Sequence, residues 1–151
     1  MQLPYMREAA AVIEANSKPG DHVMTSYTNL ASFAHREPVP GFGEQDWSFR
    51  PFWGDALARR FSFINVTLLQ RYLDQGLPEI VVICDDVDNP FNFAHVYNYV
   101  TDAEIRHYGR KLLPLIERNY DPIGNFPQFT HHRINMTIYK RKAEQIGRAH
   151  V

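Results

Sequence analysis

Apolar positions recur at helical spacing in the first segment of the chain. Met6, Ala9, Ala10 and Ile13 share one face between residues 4 and 17, which predicts an amphipathic helix. Pro4 suits its first turn, Glu14 pairs with Lys18 one turn on, and "KPGD" stops it. "HVMTSY" reads as a short strand and "NLASFAHR" as a short helix starting near Asn29. In "SFINVTLLQRYLDQG", Ile64, Leu68 and Tyr72 repeat every four residues, with Ser62 as N-cap and Gly76 as C-terminal stop. "EIVVIC" is apolar at consecutive positions, the pattern of a central parallel strand covered on both faces.

The pattern then returns to a helix. Thr101 to Glu104 form a capping box opening a helix through Ile105, Tyr108 and Leu112. Pro114 predicts a kink in it, or a break near Gly109 and a restart. "YDPIGNF" is a weak strand that Pro122 confines to an edge or bulge. "RINMTIYKR" alternates, with Ile134, Met136 and Ile138 on one face. The last two strands are expected to form an antiparallel hairpin.

Helices alternating with strands predict a Rossmann-like, three-layer α/β/α sandwich with a mostly parallel sheet and a C-terminal antiparallel hairpin. Residues 1–142 are expected to form one domain, with 143–151 as a tail. Composition agrees with a folded globular chain: of 151 residues, 44% are hydrophobic and 22% charged. A net charge of −1 supplies no field to draw nucleic acid, so no nucleic-acid partner is expected. No apolar run reaches the roughly 18 residues of a membrane helix, and "MQLPYMREAAAV" lacks a signal-peptide layout. Cys84 is the lone cysteine, which excludes an internal disulfide framework.

Candidate chemistry falls in two places. Asp85, Asp86 and Asp88 follow the central strand, and ligands of open α/β sheets sit beyond strand carboxyl ends. These acids are candidate ligands for a metal, a ribose or a sugar hydroxyl; the plainer reading is a solvated strand end. Pro90 and Phe91 stand where a calcium loop needs its glycine turn and further oxygens. The "HVMTSYTNLAS" segment has no glycine for a phosphate loop, no "GxSxG" elbow is present, and no histidine pair shows helical chelating spacing. No catalytic residue, metal or cofactor is therefore assigned.

The second place is aromatic. Residues 37–54 hold three prolines, three glycines and five aromatics. Phe42, Trp47, Phe49, Phe52, Trp53, Phe61 and Phe63, with Phe91, Phe93, Tyr97 and Tyr99 later, either fill a core beneath loops or form a docking face for a membrane or protein partner. Arg36, Arg50, Arg59 and Arg60 lie near this cluster and suit phosphate or lipid head groups.

The series "REAAAVIEANSKPGDHVMTS", "NLASFAHREPVP", "LDQGLPEIVVI", "LLPLIERNYDPIGNF" and "INMTIYKRK" resembles the soluble C-terminal domain of polytopic membrane glycosyltransferases, the protein mannosyltransferase-like and aminoarabinose transferase-like family. The resemblance spans residues 7–142; the long aromatic insertions have no counterpart in it. It implies an extracytoplasmic domain packed over the membrane domain of a parent that uses a polyprenyl-phosphate-linked sugar. The family's catalytic carboxylate lies in the membrane domain, so the resemblance implies a chain without turnover of its own, helping donor or acceptor recognition. Two alternatives stand beside it: a cytoplasmic, methyltransferase-like small-molecule transferase using Asp85 to Asp88, and an interaction domain with an aromatic docking face.

Overall fold

The computed structural model describes residues 3–25, 27–42, 50, 53–84, 102–127 and 135–143. Along the chain run α1 (Leu3–Ala15), β1 (His22–Met24), α2 (Thr28–Phe33), β2 (Glu37–Pro38), α3 (Asp55–Arg60), α4 (Val66–Gln75), β3 (Pro78–Cys84), α5 (Asp102–Asn119), β4 (Tyr120–Phe126) and β5 (Met136–Arg141). The strands form one open sheet in the order β2-β1-β3-β5-β4. β2, β1 and β3 are parallel; β5 and β4 add an antiparallel end.

β3 is the centre of the sheet because its side chains are apolar in both directions. Ile80 and Val82 join one buried cluster with Met6, Ala9, Ala10 and Ile13 of α1 and Leu30 and Ala31 of α2. Val81 and Ile83 join the other, with Leu68, Leu69 and Leu73 of α4 and Leu112 and Ile116 of α5. Alternation along a strand sends neighbouring side chains to opposite faces, so β3 carries both cores. The predicted α1 face is buried as a unit, each residue 4% exposed or less. The predicted hairpin is present, with β4 at the edge and its register shifting between Pro122 and Gly124, where a proline tolerates the lost ladder bond. Met136 and Ile138 face the core as expected; Ile134 lies outside the described residues.

Several elements depart from the sequence reading. Of the two readings for α5, the break near Gly109 is not found: the helix is continuous through Gly109 and Pro114. Leu112 and Ile116 are fully buried on either side of the exposed proline, and that packing outweighs the roughly 3 kcal/mol of a helix-interior proline. Thr101, half of the predicted capping box, lies outside the described residues. Glu14 pairs with His35 at 3.8 Å rather than with Lys18, because α1 ends at Ala15 and Lys18 is past the last turn. β2 lies inside the proline- and glycine-rich stretch 37–54, and α3 follows directly after it; neither is among the predicted elements.

Helix ends supply a common device. Gly76 N–H donates to Leu73 O and Leu77 N–H to Tyr72 O after α4. His35 and Arg36 repeat the pair after α2, to Ser32 O and Ala31 O, and Ser62 and Phe63 repeat it after α3, to Arg59 O and Ala58 O. All three are Schellman endings, which need a left-handed residue at the turn. Glycine fills that position only at Gly76 (φ 64°); His35 (φ 50°) and Ser62 (φ 57°) fill the others.

Candidate functional site

The sheet order defines one address. From β1 the chain crosses through α2 to β2 on one side, and then through α3 and α4 to β3 on the other. The carboxyl ends of β1 and β3 thus flank the point where the winding reverses, the usual ligand crevice of an open α/β sheet. Thr25, fully buried, follows β1, and its hydroxyl accepts the Tyr27 N–H at 3.0 Å. The acids Asp85, Asp86 and Asp88 lie outside the described residues, as do Phe91 and Phe93. Among the described residues, no group of three His, Cys, Asp or Glu side chains is arranged to hold a metal ion.

The second address is better defined. α4 opens at Asn65, whose side-chain oxygen accepts the Leu68 N–H at 2.7 Å. The expected N-cap, Ser62, instead ends α3 in a left-handed conformation. Asn65 is 3% exposed and also donates through Nδ2 to Trp53 O at 2.7 Å and to Asp55 Oδ1 at 2.9 Å. Asp55 Oδ2 in turn accepts from Arg71 Nη2 at 3.0 Å. The Asn65 amide, seconded by the Arg71 guanidinium, holds the Asp55 carboxyl below its ordinary pKa. One capping residue therefore ties the start of α3 and the Trp53 backbone to α4.

On that frame sits a cluster of rings. Trp53 meets Phe61 edge-on at 5.8 Å between centroids and Phe63 at 5.3 Å. Arg50 lies 4.8 Å over the Phe63 ring, and Arg60 5.7 Å from the Phe61 centroid, both within cation–π range. Arg50 N–H donates to Ile64 O at 2.7 Å, which pins its backbone. α3 ends with Arg59 and Arg60, where cations complement the helix dipole. Ala58 points into the core, whereas Phe61 is 53% and Leu57 42% exposed.

Two open grooves lie beside this cluster. One, of about 310 Å³, is lined by Pro38, Val39, Pro40, Gly41, Phe61, Ser62 and Phe63. The other, of about 360 Å³, shares Pro40, Gly41, Ser62 and Phe63 and adds Arg59 and Tyr72. Gly41 (φ 96°) makes the close approach of the two loops possible, since a Cβ there would sit 3.0 Å from Ile64 Cβ and 3.1 Å from the Phe63 carbonyl carbon.

Of the predicted docking residues, Arg50, Trp53, Arg59 and Arg60 come together here. Phe42 does not belong with them: it is 1% exposed and packs in the α4/α5 core, because the turn at Val39–Phe42 folds it inward. Trp47, Phe49 and Phe52 lie outside the described residues. Arg36 is spent elsewhere. Its guanidinium donates to Ser17 Oγ and to the carbonyls of Glu14, Ser17, Ala34 and His35, which uses all five of its N–H groups to close the ends of α1 and α2. The sequence pattern groups Phe61 and Phe63 with Trp53, as the structure does, but it does not mark Ser62 or Asn65 as parts of this site. For Asn65 a signal existed, an Asn immediately before an apolar-periodic run. Among the described residues no helix is long and apolar enough to cross a membrane. No family model matches the chain, and comparisons with curated proteins and with solved structures returned no match.

Proposed function

We propose that this chain is a Rossmann-like, three-layer α/β/α accessory domain of a membrane glycosyltransferase that uses a polyprenyl-phosphate-linked sugar. In this reading it lies on the extracytoplasmic side, does not catalyse transfer by itself, and helps donor or acceptor recognition. Its membrane-facing edge is the ring and arginine cluster of Trp53, Leu57, Phe61, Phe63, Arg50, Arg59 and Arg60. The single observation that carries the edge is Phe61: a large ring more than half exposed beside two terminal arginines of α3. Exposed aromatic and aliphatic side chains ringed by cations match the boundary between acyl chains and anionic head groups. The glycosyltransferase assignment itself rests on the resemblance over residues 7–142.

The test is flotation of the protein with phosphatidylcholine vesicles containing polyprenyl phosphate. Burying the exposed part of Phe61 is worth about 1 kcal/mol, so Phe61→Ser is expected to weaken vesicle binding about fivefold while the chain stays folded. Vesicle binding that is absent, or indifferent to Phe61→Ser and to Arg60→Gln, removes the docking edge. A coding sequence upstream that specifies many hydrophobic spans supports the parent enzyme; its absence from the intact gene refutes it.

A further inference from the structure

The second groove holds a feature that helix termination alone does not explain. The residue ending α3 is left-handed at φ 57° yet is a serine, where glycine is the unstrained choice. Backbone strain at a site that lines a groove is an indication of function. Ser62 lines both grooves. His35, at the equivalent turn of α2, lines neither; its imidazole is 82% exposed and meets Glu14.

The groove of about 360 Å³ brings Ser62 together with Arg59 and Tyr72. All three carry hydrogen-bond donors, and among the described residues none of the three side chains makes a hydrogen bond. The lining contains no carboxylate. The acid that Arg59 feels, Asp55, is already held by Asn65 and Arg71. A guanidinium and two hydroxyls with no acid among them suit a tetrahedral oxyanion. Phe63 and Pro40 supply the apolar wall beside it.

We infer that this groove is a subsite for a phosphate ester, with Arg59, Ser62 and Tyr72 as its donors. The inference deepens the proposed docking edge and rests on that reading only for the source of the phosphate, a lipid head group rather than a free ester. Ser62→Gly is the discriminating variant, because it removes the hydroxyl while relieving the backbone. It is expected to fold and to weaken phosphate binding about tenfold, the loss of one hydrogen bond to a charged group. Arg59→Gln is expected to lose at least as much.

The experiment follows the Ser62 and Phe63 amide resonances of the whole chain during titration with inorganic phosphate. It is paired with flotation on phosphatidylcholine vesicles with and without polyprenyl phosphate. Saturable shifts of the amides at positions 62 and 63 that weaken in both variants support the subsite. Binding only to vesicles with polyprenyl phosphate, weakened by both substitutions, also supports it and names the lipid as the source. Indifference of both probes to Ser62→Gly and Arg59→Gln overturns it; vesicle binding that still depends on Phe61 would then leave the docking edge standing. Phosphate binding sensitive to both variants without any vesicle binding keeps the subsite and removes the docking edge.

Discussion

Three helices end in the same hydrogen-bonded turn, with Gly76, His35 and Ser62 in its left-handed position. That makes an internally controlled series. A left-handed residue with a side chain is strained by about 1–2 kcal/mol, while glycine gives back about 0.4–1 kcal/mol through the greater freedom of its unfolded chain. Ser62→Gly is therefore expected to stabilise the fold by about 0.5 kcal/mol. Gly76→Ala reverses both terms and adds a collision. A Cβ at Gly76 would lie 3.0 Å from Arg141 Cδ. Arg141 has little freedom to yield, since its Nη1 donates to Gly76 O at 2.6 Å and its Nη2 meets Glu79 at 2.7 Å. The expected loss at Gly76 is about 1.5–2 kcal/mol once this packing is disturbed. Urea titration reads both, with an unchanged slope as the sign that the denatured state is not altered. For a chain of this size the thermal midpoint should fall by about 3–8 °C for Gly76→Ala and rise by about 1–2 °C for Ser62→Gly. A neutral Gly76→Ala, or a Ser62→Gly that destabilises, would refute the strain argument and with it the reading of Ser62 as a costly choice.

Asn65→Ala removes the α4 cap and leaves the Trp53 carbonyl without its donor, an expected loss of about 2–4 kcal/mol. Asn65→Ser should restore about 1 kcal/mol by recovering the cap alone, and urea midpoints that do not separate the two variants would contradict the double role. Tyr120 is buried, with its hydroxyl donating to Pro78 O at 2.9 Å, and burial raises its pKa well above the usual phenol range. A raised folded pKa gives stability that is complete below the unfolded value and lost as pH rises toward the folded one. The stability difference between the native chain and Tyr120→Phe should thus be constant at neutral pH and shrink above about pH 10; a difference that stays flat through that range would dismiss the assignment.

Much of the frame was legible because it depends on local periodicity. The burial of Met6, Ala9, Ala10 and Ile13, the two-faced strand at Ile80–Ile83, the Gly76 stop and the edge position of Pro122 all follow from spacing and from what glycine and proline permit. α3 was not legible, since six residues between a glycine and a ring-rich turn carry too short a repeat. The candidate site was legible only in composition. The pattern groups Trp53, Phe61 and Phe63 with Arg50, Arg59 and Arg60, yet it also includes Phe42, which is core, and Arg36, whose donors close two helices.

Local sequence was enough to give the apolar faces of α1 and β3, the stop of α4 at Gly76 and the pairing of the final strands. Those outcomes are set by interactions within a few residues. The tertiary structure alone decided that β3 sits between a parallel and an antiparallel neighbour. It also decided that Asn65 reaches back to Trp53, and that Ser62, Arg59 and Tyr72 line one groove beside an exposed Phe61. These depend on contacts between segments far apart in the chain, whose geometry no local periodicity encodes.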